Sequence, residues 1–523
     1  MDPSSFRCTA DIVRHYAAEK PNQTMIKFGD RTVTWSEMDG RSSQVAQALI
    51  ASGVASQERV AFLEKNSVDY FEVLYGCSKA NIVDVSVNWR LAPAEILYTV
   101  NDSQSKVLFV GADFFATIES IEAEFTSVRT IVALGDHDRW VNYDSWLSGQ
   151  RAEDPKADTL PGDIAFQLYT SGTTGLPKGV MTSNNNLFQL VANVLGPWGM
   201  DETSKNVATM PLFHIGGSGW AVAGMYIGAT TLLVRDPMPN VLLELMETEH
   251  ATNAFYVPAL LAFMAMTPGA SDRDFSSMRS VVYGASPITD EVLIGSMATL
   301  KCPHIQVYGM TETTGAITEL SPEDHDPGGP RAHLLRSAGK PYPWVEMKIV
   351  DTETGATKDL GEVGELWTRS SQNMVGYWNH PDETAKTITE DGWLKTGDAG
   401  YLDAEGFLFL TDRVKDMIVS GGENVYPAEV ENALASFPAI AEVAVIGVPS
   451  DKWGETVKAV VVLRPGQTAT EAEIIAHAKG LLAGYKCPTS VDFTDVLPRN
   501  PTGKVLKKDL REPYWAGRSR RIN

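Results

Sequence analysis

The sequence predicts an α/β fold: a large N-terminal domain of α/β sheets, a β-rich subdomain, and a small α+β C-terminal domain. Three observations support this. Short apolar runs of strand length recur over the first four fifths of the chain, with helical patterns between several of them. From about residue 340 the runs follow one another with turns and little helix. After residue 412 the strand–helix mixture returns, which puts a domain boundary near that point.

In chain order, strands are expected at 59–64 (RVAFLE), 106–110 (KVLFV), 130–134 (TIVAL), 164–170 (IAFQLYT), 253–257 (NAFYV), 280–284 (SVVYG) and 304–308 (HIQVY). Thr34-Trp35-Ser36-Glu37 has the spacing of a capping box, with Val45, Ala48 and Leu49 following at helical intervals. Pro258 suits the first turn of a helix after a strand. Residues 215–234 carry no charge over a length that would span a membrane, but five glycines interrupt them and Thr230–Val234 reads as a strand. A buried helix followed by a buried strand is expected there rather than a transmembrane span. In the β-rich part the strands are 345–350 and 363–368; beyond the boundary they are 442–448, 457–463 and 491–496, with a helix near 471–483.

A chain of 523 residues is long enough for more than one domain and a large core. Its net charge of −22 argues against a surface built to grip nucleic acid, although backbone dipoles still allow a local anion site. Cys8, Cys77, Cys302 and Cys487 are far apart, so neither a disulfide framework nor a thiolate metal site is expected. With no secretory pattern over Met1–Arg7 and no peroxisomal address at Arg520–Asn523, a cytoplasmic location is expected. The last 23 residues are locally basic, with seven Lys and Arg against Asp509 and Glu512.

The strongest chemical signal is Tyr169-Thr170-Ser171-Gly172-Thr173-Thr174-Gly175-Leu176-Pro177-Lys178-Gly179 after an apolar strand. Hydroxyls, glycine-rich backbone N–H groups and one ammonium make the donor set a polyphosphate needs. The GxxxxGK[ST] pattern of P-loop NTPases fails, because two residues separate Gly175 from Lys178 and Gly179 follows the lysine. A hydrolase reading of His214 fails too, since Trp220 stands where GxSxG needs its last glycine.

This segment resembles the phosphate loop of the acyl-adenylate-forming superfamily, which includes acyl-CoA ligases, luciferases and peptide-synthetase adenylation domains. Further segments match in the family order over nearly the whole chain: Pro211-Leu212-Phe213-His214, Gly284-Ala285-Ser286-Pro287, Tyr308-Gly309-Met310-Thr311-Glu312-Thr313, Thr396-Gly397-Asp398, Asp412-Arg413-Val414-Lys415-Asp416, Gly421-Gly422-Glu423-Asn424-Val425-Tyr426-Pro427 and Pro501-Thr502-Gly503-Lys504. Asn184 stands where the family often has His, and Lys415 where some members have Asp.

The resemblance implies an AMP-forming acyl-CoA ligase using ATP, CoA and Mg²⁺, with residues 1–411 as the N-terminal domain (β-rich subdomain about 340–411), 412–416 as hinge and 417–523 as a mobile C-terminal domain. It implies nucleotide contacts from Thr170, Ser171, Gly172, Thr173, Thr174, Lys178, Gly284, Ala285, Ser286, Tyr308, Gly309, Met310, Thr311, Asp398 and Arg413. Glu312 is a hard oxygen ligand suited to Mg²⁺ between phosphates; Thr311 can donate to the α-phosphate; Asp398 can accept both ribose hydroxyls; Arg413 offers a planar fork. Lys504 would offset the negative charge that grows as a carboxylate attacks phosphorus. Lys415 would be the pivot, and Gly421, Gly422 and Glu423 would face CoA.

The acyl pocket is expected to be walled by His214, Trp220, Tyr256, Val257, Ala285 and Gly309. Acetate-using relatives resemble this segment but carry Trp at the place of Gly309, so a deeper cavity is expected, suited to a medium- or long-chain fatty acid. Aromatic or other bulky apolar acids, and loading of a carrier protein in place of CoA, stay open, as does a homodimer.

Overall fold

In the computed structural model, residues 3–171, 176–413, 416–420, 423–450, 453–499 and 505–516 are described. Their contacts divide the chain into two compact units: residues 1–345 with 369–394, and 346–368 with 395–523.

The first unit is built on two mixed sheets. One has nine strands; its central six (304–310, 280–284, 253–256, 205–208, 230–233 and 24–28) are parallel neighbours, and antiparallel strands extend both edges. The other has eight strands, with 83–86, 59–63, 107–111, 130–134 and 141–142 parallel. Helices between parallel strands cover the faces, so these strands are buried on both sides and read as apolar runs rather than alternations. The strands predicted in this part all form, as do the helix starting at Pro258 and the Thr34–Glu37 capping box. The uncharged stretch folds as the helix Ile215–Tyr226 and the strand Thr230–Leu233. Among the described residues no helix is long and apolar enough to cross a membrane. All four cysteines are unpaired.

One hairpin went unread in the sequence. The strand Pro177–Ser183 runs antiparallel to Ile164–Ser171, so Lys178 belongs to a strand, directly opposite Thr170.

The second unit holds a four-stranded sheet (346–350, 364–369, 394–402, 408–413) and a five-stranded one. In the five-stranded sheet the long hairpin Ile440–Ser450 and Gly454–Leu463 alternates its side chains between two cores. Val445, Val457, Ala459 and Val461 pack on one face with Val430, Leu434, Ile474 and Ala478 from two helices. Ala444, Ile446, Val448 and Val460 pack on the other with Leu497, Leu510 and Tyr514. The unit is therefore α+β, as predicted. Contacts group 346–368 and 395–411 with the C-terminal residues, whereas the sequence pattern assigns them to a β-rich part of the N-terminal domain.

Candidate active site

The candidate phosphate site starts at the hairpin. Thr170 and Lys178 form a cross-strand pair, and such pairs project to the same side of the sheet. Lys178 is only 6% exposed. Its ammonium pairs with the Glu383 carboxylate and lies 5.1 Å from the centroid of the Tyr377 ring. Gly179 is required by packing, since a Cβ there would lie 2.4 Å from Gln167 Nε2.

Glu312 comes to this hairpin from the other sheet. The strand His304–Met310 ends in a single turn, Thr311–Thr313, which presents Glu312 beside the hairpin. The Thr313 hydroxyl accepts from Met310 N at 3.0 Å and donates to Gly315 O at 2.7 Å, while Thr314 takes the left-handed conformation at φ +55°. Gln372 Nε2 ties down the carbonyls of Thr313 and Ala316 at 2.8 and 2.9 Å. Glu312 is buried, and its Oε1 accepts from Thr170 Oγ1 at 3.2 Å and from Tyr377 OH at 3.0 Å. Two motifs separated by 142 positions thus meet at one carboxylate oxygen.

That donor set fits Mg²⁺ arriving with a nucleotide, because Mg²⁺ usually takes one or two protein carboxylates and fills its shell from phosphates and water. Among the described residues no group of three or more His, Cys, Asp or Glu side chains could hold a resident ion.

Gly284, Ala285 and Ser286 form the turn after the strand Ser280–Gly284. A Cβ at Gly284 would lie 2.3 Å from the Val307 carbonyl oxygen, and Ala285 sits exposed at φ +68°, a strained conformation for a residue with a side chain. Tyr308, Gly309, Met310 and Thr311 continue from the neighbouring strand at intermediate exposure.

Gly309 has a different physical role from the one expected. A Cβ there would stand 1.8 Å from the Gly315 carbonyl oxygen and 2.8 Å from Ala316 Cα. The missing side chain makes room for the strand Gly315–Leu320 at a register irregularity, so it does not by itself deepen a pocket.

The expected acyl walls divide. Trp220 is buried, donates from Nε1 to Val207 O at 2.9 Å, and has its ring 5.8 Å from Phe255 and 5.2 Å from Trp198. Tyr256 lies on the opposite face of the strand from Phe255: it is fully buried among Leu242, Leu243 and Met246, with its hydroxyl 3.1 Å from Met246 Sδ. Tyr256 is therefore a core residue, whereas the Phe255 ring packs against Trp220. Val257 is half-buried at the cap of the helix Pro258–Met266.

His214 caps the helix Ile215–Tyr226 beside Phe213. Its Nε2 is buried without a hydrogen-bond partner among the described residues, and burial, aided by the nearby Arg90 charge, pushes its pKa down to about 4. An uncharged imidazole with no orienting partner suits a wall rather than a general base. Asn184 bonds instead to the chain around it: its Nδ2 donates to Asp163 O at 3.2 Å and its Oδ1 accepts from Thr9 N at 3.3 Å.

In the second unit Thr396, Gly397 and Asp398 occupy the strand Leu394–Leu402. Thr396 Oγ1 donates to Leu366 O and accepts from Asp398 N, and Gly397 has φ +70°. Asp398 is 9% exposed and stands in register with Arg413 on the next strand. Gly172, Thr173, Thr174, Lys415, Gly421, Gly422 and Lys504 lie outside the described residues, as do the side chains of Ser171, Arg413 and Glu423.

Comparison with known proteins agrees with these motifs. The model of the AMP-binding enzyme family matches residues 13–378, and that of the AMP-binding enzyme C-terminal domain matches 429–504. A fatty acid–[acyl-carrier-protein] ligase, ScoC of Streptomyces coeruleorubidus, is 40% identical over 97% of this chain and 96% of its own. An indoleacetate–CoA ligase of Aromatoleum aromaticum is 35% identical over 96% and 97%. The crystal structure of the anthranilate CoA ligase AuaEII in complex with anthranoyl-AMP superposes with a TM-score of 0.88 at 28% identity, covering 98% of this chain and 99% of that one. The chain belongs to the AMP-binding enzyme family, the acyl-adenylate-forming ligases whose ordered motifs it carries.

Proposed function

We propose that the protein is an ATP-dependent acid–thiol ligase acting on an apolar carboxylic acid, a fatty acid first among them. The observation that carries this reading is the convergence of Thr170, Lys178 and Glu312, which sets hydroxyl, ammonium and carboxylate at one place, as a triphosphate with its cation requires.

In the first half-reaction a carboxylate oxygen bonds to the α-phosphorus of ATP and the bond to the β-phosphate oxygen breaks. The products are acyl-AMP and pyrophosphate. Mg²⁺, when bound, neutralises phosphate charge beside Glu312. Thr170 and Lys178 orient the phosphates, Asp398 takes the ribose hydroxyls, and Lys504 offsets the charge that develops at phosphorus. In the second, the sulfur of a thiol attacks the acyl carbonyl, gives up its proton, and AMP leaves with the bonding electron pair. The C-terminal domain turns at Lys415 between the two steps, so that Lys504 withdraws and the loop at Gly421, Gly422 and Glu423 faces the thiol.

The uncharged His214 and the Trp220–Phe255 pair supply apolar walls, and each methylene buried against them contributes about 0.8 kcal/mol. CoA is the proposed thiol. The 40% identical relative named for a fatty acid and an acyl carrier protein favours a second reading, in which the thiol is a carrier protein's phosphopantetheine. A panel of C2–C18 and aromatic acids with ATP, followed by AMP release with CoA or with a carrier protein, tests both. A best kcat/KM with acetate would contradict the apolar-acid reading.

A further inference from the structure

We propose that Glu383 is a positioning residue for nucleotide binding: it holds the Lys178 ammonium where the phosphates of ATP meet it. The proposal deepens the adenylation reading and rests on it.

Glu383 lies in the segment Gly376–Thr387, outside every motif that the sequence singled out. Backbone bonds fasten this segment to the phosphate hairpin: Val375 N donates to Met181 O at 3.0 Å and Trp378 N to Gly179 O at 2.8 Å. The Trp378 indole donates to Asp102 O at 3.0 Å, and the Arg59 guanidinium lies 3.3 Å from its ring centroid. Tyr377 N donates to Thr384 Oγ1 at 2.9 Å, which closes the segment on itself. From this one platform Tyr377 reaches Glu312 and Glu383 reaches Lys178. The strap therefore places both charges of the phosphate site.

Two features make Glu383 an aligner rather than a neutraliser. Its second oxygen binds Lys386 Nζ at 2.7 Å, so the triad of two ammoniums and one carboxylate keeps a net positive charge. An ammonium has three N–H donors, and a carboxylate on one leaves others for phosphate oxygens. Lys178 is buried, and a buried ammonium with no partner either swings to solvent or gives up its proton. The two neighbouring cations hold Glu383 at a pKa of about 2, so it stays ionised at working pH.

The test is calorimetric MgATP binding together with ATP–pyrophosphate exchange for the wild type, Glu383→Gln, Glu383→Asp, Lys178→Gln and the double variant Glu383→Gln/Lys178→Gln. Thermal melting shows which variants fold. The expected result for Glu383→Gln is about tenfold weaker MgATP binding and a matching rise in KM for ATP, with kcat within about twofold of wild type. Glu383→Asp should recover part of the loss, and Glu383→Gln should add nothing once Lys178 is Gln. If Glu383→Gln does not fold, the same comparison is made with Glu383→Asp, which should then show a loss of at least about threefold that vanishes in the Lys178→Gln background. Unchanged or tighter MgATP binding in the folded variant would overturn the proposal, and tighter binding would mark Glu383 as a rival that ATP displaces. A full additional loss in the Lys178→Gln background would also overturn it. A wild type that binds MgATP yet exchanges with no acid would overturn the adenylation reading, while the binding comparison would still decide the role of Glu383.

Discussion

Thr170 and Glu312 are joined by a hydrogen bond of 3.2 Å between Oγ1 and Oε1, and through it the end of one sheet is tied to the end of the other. Tyr377 completes the arrangement by donating to the same Glu312 oxygen at 3.0 Å. Hydrogen bonds to an ionised group contribute about 1.5–3 kcal/mol, so Tyr377→Phe should lower kcat/KM for MgATP by about tenfold or more. Thr170→Val should act in the same direction. Exchange kinetics at varied ATP check both; wild-type values for Tyr377→Phe would mean that the Glu312 carboxylate is oriented by other contacts.

Gly309 yields a prediction about folding. A methyl group at this position meets the Gly315 carbonyl at 1.8 Å, so strands must separate to admit it. Gly309→Ala should lose on the order of 1–3 kcal/mol of stability, read as a lower melting temperature. The acyl chain-length profile of the folded fraction should keep its shape. A stable Gly309→Ala enzyme that prefers shorter acids would restore the pocket role for this residue.

The Phe255 and Tyr256 pair separates the two faces of one strand. Phe255→Ala should change the ranking of acids, because the ring packs against Trp220 and covers Gly216, whose Cβ would lie 2.9 Å from it. Tyr256→Phe should leave the ranking alone, since it removes only a hydroxyl facing Met246. The C2–C18 and aromatic panel gives the answer directly.

This pair also shows where the sequence stops being informative. The run NAFYV announces a buried strand, but a strand buried on both faces has no polar alternation to reveal which side each residue takes. The nucleotide motifs were legible because chemistry restricts them to a few residue types at close spacing, and the bond from Thr170 to Glu312 brings two of them together. Tyr377 and Glu383 carry no such local signature; their partners lie 65 and 205 positions away, and only the folded chain brings them into contact. The hairpin at Lys178 was missed because Gly, Pro, Ser and Thr dominate its sequence, and these are turn formers by local preference.

Asp84 provides a test by pH. It is fully buried on the strand Val83–Ser86, its Oδ2 accepts from Ser86 Oγ at 2.7 Å, its Oδ1 has no hydrogen-bond partner among the described residues, and burial raises its pKa to about 7. The native state holds this proton more tightly than the unfolded chain does. The Asp84 contribution is therefore fully present below pH 4 and is lost as pH rises to about 7. Asp84→Asn mimics the protonated form and should gain stability over wild type at pH 8, by roughly one to a few kcal/mol, with a gap that is smaller at pH 5 and closes only below about pH 4. Melting temperatures of both proteins from pH 5 to 8 measure the difference, and a constant gap would contradict it.

The central claim is that a carboxylate attacks the α-phosphorus of a nucleotide held by the Thr170–Lys178 hairpin while Lys504 supplies positive charge. ATP–pyrophosphate exchange in the wild type and in Lys504→Ala tests it most directly. The expected result is acid-dependent exchange in the wild type and a fall of at least about 10²–10³-fold in the variant, with MgATP binding retained. Near-normal exchange in Lys504→Ala would contradict it.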